Sequence, residues 1–153
     1  GLTAMGATTV PLPGSEVYQG LATGVIDAAV TDVAAAWSRK YYEVQDHFVV
    51  VPVLAAYLHG YVTPSWFDRL SDTQKSALDE AGKKAAEWAL VASQEASAEA
   101  PKQLEEMGVT VHIATDEENE AFRAAMQPAF EEGFAAETGD EGIELLSLIE
   151  KIR

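Results

Sequence analysis

Apolar residues in this chain change period several times, and each change marks a predicted element. Leu2 and Met5 lie three apart ahead of Gly6, which reads as the tail of a helix with a glycine stop. A chain that begins inside an element predicts further sequence before it. Thr8 to Leu12 is β-branched and flanked by proline, as a short strand would be. Val17, Tyr18 and Leu21 share one helical face, with Ser15 as candidate N-cap, Glu16 suited to the helix dipole and Gly24 as a left-handed stop. Val25 to Val30 is short and almost continuously apolar, which predicts a strand buried on both faces. Thr31 or Asp32 then caps the next helix. A strand that runs into a helix start is where open α/β sheets place ligands, because backbone N–H groups and a short polar side chain converge there.

Further along, Phe48 to Leu54 is strand-like, and Pro52 marks an edge, a bulge or an end because it cannot donate to a ladder. Ala55 to Thr63 reads as another strand, interrupted by Gly60, and Pro64-Ser65-Trp66 opens a short helix. Ser71 and Gln74 have capping-box spacing at the head of the longest feature, which Gly108 ends. Leu78, Ala81, Ala85, Trp88 and Ala92 predict one buried stripe along it. Uninterrupted, this helix is on the order of 50 Å long at about 1.5 Å per residue. Pro101 is expected to kink or break it. A helix of that length must cross between two lobes or brace one against another. Val109 to Ile113 alternates like a strand. Thr115 and Glu118 form a second capping-box pair, opening a helix disturbed at Pro128, tolerant of Gly133 and stopped by Gly139. Asp140 to Arg153 is a final amphipathic helix with Ile143, Leu146 and Ile149 at helical spacing.

Composition narrows the picture. The chain has 153 residues, enough for a domain with a core, and 48% are hydrophobic, which argues against disorder. Its 25 acidic against 10 basic residues leave a net charge of −15, a surface that repels nucleic-acid phosphates and anionic membranes. There is no cysteine, so disulfides and thiolate metal sites are excluded. No apolar run reaches the roughly 18 residues of a membrane span. No signal peptide is present, but Gly1 is not a natural translation start, so a removed upstream region is expected.

Little in the chain points to catalysis. His47, His59 and His112 are scattered, without zinc-ligand spacing. There is no GxGxxG, no GxxxxGK and no GxSxG motif. No cofactor is implied. Asp27, on the expected strand, reads as a carboxylate satisfied by a neighbouring loop. Thr31 and Asp32 are caps, ligand contacts or both. Trp37, Tyr41, Tyr42, Trp66 and Trp88 read as core. Tyr57, His59 and Tyr61 alternate on one strand face, and are binding candidates if that face lines a cleft, sheet packing if it does not.

Gly6-Ala7, Val10-Pro11-Leu12-Pro13, Glu16-Val17-Tyr18, Leu21, Gly24-Val25-Ile26-Asp27, Lys40 and Tyr42-Glu43-Val44 follow one another in a recognisable order. Trp66-Phe67-Asp68-Arg69-Leu70-Ser71, the helix with Gln74 and Leu104 to Val111 extend it. This pattern resembles the DctP-type extracytoplasmic solute-binding proteins of TRAP transporters, over essentially the whole chain. The resemblance implies a two-lobed, type II periplasmic-binding-protein-like α/β fold with a long lobe-spanning helix, of which this chain is the C-terminal portion. It implies second-lobe sheet and helices over 1–57, a return segment and the spanning helix over 58–108, and a strand with C-terminal helices over 109–153. It implies no enzyme but a periplasmic binder of a small carboxylate or zwitterion, serving TRAP membrane permease subunits. On the same fold, the alternatives are a ligand-sensing domain or, from the long helix, an acidic helical interaction module.

The matching positions also depart from the family. Asp27-Ala28 stands for Asp-Gly, Thr31-Asp32 for Asn-Pro, and Gly14 for an aromatic residue ahead of Ser-Glu-Val-Tyr. Thr31 maps to the family's ligand-contacting Asn. The arginine that clamps a substrate carboxylate is expected upstream of Gly1. The ligand set the resemblance and pattern imply is therefore Gly14, Thr31, Asp32, Tyr57, His59 and Tyr61. Apolar faces made for a missing half are expected to be uncovered, favouring self-association or a partner chain that supplies it.

Overall fold

The computed structural model describes residues 1–53 and 58–152. Among them, in chain order, are a 3-10 turn Leu2–Met5, α1 (Val17–Ala22), α2 (Val33–Ser38), a 3-10 turn Tyr41–Glu43, β1 (His47–Val50), α3 (Pro64–Phe67), α4 (Asp72–Glu106), β2 (Thr110–Ile113), α5 (Asp116–Thr138) and α6 (Asp140–Ile152). The chain divides into two compact units. One takes in Gly1–Val17, Val51–Val53 and Ile113–Arg153, the other Tyr18–Val50 and Leu54–His112, each as far as its residues are described.

The larger unit holds the buried hydrophobic residues found among those described: Leu21 of α1, Ala36 of α2, Tyr41, and Ala100 and Leu104 of α4. α2 packs on α4 and on the turn that contains Tyr41. Trp37 and Tyr42 are half-buried and stack with ring centroids 5.1 Å apart. β1 and β2 form a two-stranded sheet, and the Thr110 N–H donates to the Asp46 carbonyl at 2.8 Å beside it.

Local signals set the helix ends. Ser71 Oγ accepts from the Gln74 N–H at 3.3 Å, and the Gln74 side chain accepts from the Ser71 N–H at 2.9 Å, so both halves of the predicted capping box form. Thr115 and Glu118 do the same for α5. α4 runs unbroken through Pro101, so of the expected kink or break the break does not occur. Ala100 and Leu104 on either side of it are fully buried, and that packing offsets the hydrogen bond a proline cannot donate. α1 starts at Val17 after a turn closed by the Glu16 N–H on the Pro13 carbonyl at 2.8 Å, rather than directly from Ser15.

In the smaller unit the N-terminal 3-10 turn and α6 each pack on α5. Gly139, φ 65°, closes α5 as predicted. Gly142 is buried, and a Cβ there would collide with the Thr138 side chain, so α6 meets the end of α5 through bare backbone.

Several expected strands are absent. Residues 8–12 and 25–30 form no helix and pair with no strand among the described residues, and they are largely exposed, Val25 by 71% and Val30 by 58%. A strand is defined by its ladder, and an apolar run without a neighbour has none. Asp27, expected to point from a buried strand, is therefore exposed. The strand expected over 55–63 is missing from its described part, 58–63, where Gly60 and the Pro64 helix start leave no paired segment. The stripe from Leu78 to Trp88 is exposed rather than buried, with Ala92 half-buried. Trp66 and Trp88, expected in the core, are likewise exposed.

Candidate functional site

The segment from α1 to the Tyr41–Glu43 turn presents the densest set of predicted site residues. Gly24, at φ 70°, ends α1 in a conformation that other residues adopt only with strain. An irregular segment, bent at Val25 and Asp27, then carries the chain to Thr31 and Asp32, both exposed. Asp32 caps α2: its Oδ1 accepts from the Ala34 N–H at 2.9 Å and the Ala35 N–H at 3.1 Å. The predicted cap forms, and it has a chemical consequence. The free N–H groups at this helix start already serve a carboxylate from the chain itself, so an incoming anion meets negative charge.

The nearest basic residues in sequence lie at the other end of α2, roughly 10 Å along the axis at 1.5 Å per residue. Arg39 Nη1 donates to the Tyr41 hydroxyl at 3.5 Å, and Lys40 Nζ is 3.9 Å from Glu43 Oε1. Lys40 also has φ 58°, the one non-glycine residue with positive φ among those described. Such a backbone is uncommon for a side-chain-bearing residue and holds the turn after α2 in a single geometry.

Tyr18 adds a contact that the reading of individual residues did not assign. Its hydroxyl donates to Glu43 Oε2 at 2.8 Å, tying α1 to the turn that follows α2. The hydrogen bond to the Glu43 carboxylate, followed by partial burial and the charge of Glu43, raises the phenol above its ordinary pKa. The signal lay in the resemblance pattern, where Glu16-Val17-Tyr18 and Tyr42-Glu43-Val44 stood out together. The structure supplies the reason: the two triplets meet through one hydrogen bond.

The other predicted site residues are less gathered. Gly14 is exposed in the turn before α1 and belongs to the smaller unit. His59 and Tyr61 are exposed, Tyr61 by 90%, on a segment without strand structure, so they share no strand face. Tyr57 lies outside the described residues. Among the described residues no group of His, Asp or Glu is placed to hold a metal ion.

The family model for the bacterial extracellular solute-binding proteins, family 7, known as DctP, matches residues 2–137. This chain belongs to that family. The ectoine-binding periplasmic protein TeaA of Halomonas elongata is 32% identical over 151 residues, covering 94% of this chain and 42% of TeaA. The ectoine/5-hydroxyectoine-binding periplasmic protein UehA of Ruegeria pomeroyi is 33% identical over 147 residues, with 94% and 42% covered. Among solved structures, a TRAP periplasmic solute-binding protein of Chromohalobacter salexigens with bound D-glucuronate superposes with a TM-score of 0.80 at 26% identity, covering 99% of this chain and 49% of that one. The chain thus spans about two fifths of the length of these curated relatives. These DctP-family neighbours are two-lobed type II binding proteins, and the α/β class read from the sequence is theirs. The family and these relatives are solute-binding proteins, not enzymes. No helix among the described residues is long and apolar enough to cross a membrane.

Proposed function

We propose that this chain is the C-terminal portion of the extracytoplasmic, periplasmic solute-binding component of a TRAP-type secondary transporter. It holds a small carboxylate or zwitterion in an interlobe cleft and delivers it to the membrane permease subunits. The observation that carries this reading is the family match over residues 2–137. On it, Thr31 and Asp32 contribute polar contacts from the start of α2, with Gly14, Tyr57, His59 and Tyr61 as further ligand contacts. The Tyr18–Glu43 hydrogen bond supports the reading physically, because it ties α1, before the loop that carries Thr31 and Asp32, to the turn that follows α2. A carboxylate needs a bidentate cation to offset its desolvation and the surrounding negative charge. Asp32 provides the opposite, so that cation comes from outside these residues, whereas a zwitterion's positive end suits Asp32 directly. The exposed stripe on α4 favours an interaction module, but a bare helix face says nothing of the other elements that follow the family pattern.

The test is uptake. Deleting the gene in its host should abolish accumulation of one radiolabelled small organic acid or zwitterion and leave other solutes untouched. Unchanged uptake across carboxylates, sugar acids and ectoine-like zwitterions would overturn the proposal.

A further inference from the structure

Two stretches of well-bonded backbone flank the loop that carries Thr31 and Asp32. Ahead of it, the Gly20 carbonyl of α1 accepts from the Val25 N–H at 3.0 Å and the Ile26 N–H at 3.3 Å, and the Gly24 N–H donates to the Leu21 carbonyl at 3.2 Å. The loop therefore leaves α1 from a fixed start. After it, Asp32 holds the Ala34 and Ala35 N–H groups, the Lys40 N–H donates to the Trp37 carbonyl at 2.9 Å, and the Glu43 N–H donates to the Lys40 carbonyl at 3.0 Å. Asp32 to Glu43 is thus a second bonded stretch, α2 with its following turn. Between the two, residues 27–31 make no hydrogen bond with any other described residue. Five residues reach up to roughly 17 Å when extended, so this link alone leaves its two anchors free in distance and angle.

Tyr18 and Glu43 supply the missing constraint. Tyr18 belongs to the first stretch and Glu43 to the second, both in the larger unit, and the phenol donates to Glu43 Oε2 at 2.8 Å. Glu43 Oε1 faces Lys40 Nζ at 3.9 Å, so each carboxylate oxygen has its own partner. Lys40 reaches it from the left-handed backbone that shapes this turn. Leu21 of α1 is also buried, but apolar burial has no preferred direction, whereas a hydrogen bond weakens steeply when misaligned. Burial keeps α1 against its neighbours; the hydrogen bond sets its orientation relative to α2.

We propose that Tyr18 and Glu43 are positioning residues for the ligand loop: their hydrogen bond closes a ring of chain from α1 to the turn after α2, and so fixes where Thr31 and Asp32 are presented. They act through the loop rather than by touching the solute. A loop already held at both ends has less freedom to lose on binding, which raises affinity. The proposal rests on the transport reading for the roles of Thr31 and Asp32; the clasp itself does not.

The test uses the protein as its host makes it, with the variants Tyr18→Phe, Glu43→Ala and Glu43→Gln. Ser71→Ala is the control, because it removes a helix cap elsewhere in the same unit. Hydrogen exchange is read by mass spectrometry without ligand on peptides spanning 24–36, which contain the bonded amides of Val25, Ile26, Ala34 and Ala35. Tyr18→Phe and Glu43→Ala should each raise their exchange at least fivefold. Glu43→Gln should stay within twofold of the parent, since its amide oxygen still accepts from the phenol. Ser71→Ala should lower the melting temperature and leave these peptides unchanged. No rise in Tyr18→Phe, an equal rise throughout α4, or a glutamine variant that behaves like the alanine one overturns the proposal. The second readout is uptake of carboxylates, sugar acids and ectoine-like zwitterions by hosts carrying the same variants. For the class taken up, Tyr18→Phe should raise the half-saturating concentration at least fivefold and Glu43→Gln less than twofold, with the maximal rate kept. An unchanged half-saturating concentration in Tyr18→Phe overturns the positioning role. If the unaltered protein takes up none of them, the transport reading fails, while exchange still decides whether the clasp holds the loop.

Discussion

Replacing Leu104 by alanine probes the small core that holds α2 on α4. Leu104 is fully buried, and with Tyr41 it is among the largest such side chains described. Leucine-to-alanine changes in cores cost about 2 to 5 kcal/mol, the larger values where the site cannot collapse. α2, which packs on α4, carries Ala34, Ala35 and Ala36, short side chains without rotamers that swing into a void. A loss of about 3 to 4 kcal/mol is therefore expected, against a total of about 5 to 15 kcal/mol for a domain. Leu104→Met, which conserves volume, should cost under about 1.5 kcal/mol. The assay is urea unfolding of residues 1–153 followed by circular dichroism. At a slope of about 2 kcal/mol per molar, Leu104→Ala should lower the midpoint by about 1.5 to 2 M. A shift below about 0.5 M, or equal shifts for alanine and methionine, would refute the packing described.

Four further outcomes follow from the site and the charge. Asp32→Ala should cost about 1 kcal/mol in the same unfolding assay and Asp32→Asn much less, because an amide oxygen still caps α2; equal losses would remove the capping role. The raised pKa of Tyr18 means that its hydrogen bond stabilises the fold fully below the ordinary tyrosine range and is lost as pH rises through the higher, folded value. Phenolate absorbance should therefore show a late-titrating group that Tyr18→Phe deletes, and an unchanged titration in that variant would count against the contact. Raising salt from about 0.01 to 0.15 M shortens the screening length from about 30 to 8 Å, so the melting temperature of a chain with net charge −15 should rise; a fall would mean that attraction dominates its electrostatics. Residues 1–153 alone should bind simple carboxylates weakly, and micromolar affinity by calorimetry would show that Arg39, Lys40 or another basic residue here is a sufficient clamp.

The helices were legible because their signals are local. Ser71 with Gln74, and Thr115 with Glu118, need only four residues to form their caps, and Asp32 needs the two N–H groups that follow it. Strands are not local in this sense. Val25 to Val30 has the composition of a buried strand, yet without a paired neighbour among the described residues it stays irregular and largely exposed. The Leu78–Ala92 stripe shows the same limit, since periodicity identifies an apolar face but not what covers it. Pro101 shows the other direction: a local rule allowed a kink or a break, and with Ala100 and Leu104 packed beside it the helix does not break. Of the candidate site, the capping of Asp32 followed from residue type and position. The Tyr18–Glu43 contact joins residues 25 apart, and only the family pattern hinted at it.

The most direct test of the account is a thermal-shift titration of the protein as its host makes it, against small carboxylates, sugar acids and zwitterions. Binding to the native state alone stabilises by about 2.7 kcal/mol at a hundredfold excess over Kd. The account predicts a saturable rise in melting temperature for one ligand class, with the others silent. A melting temperature unmoved by every class would contradict it.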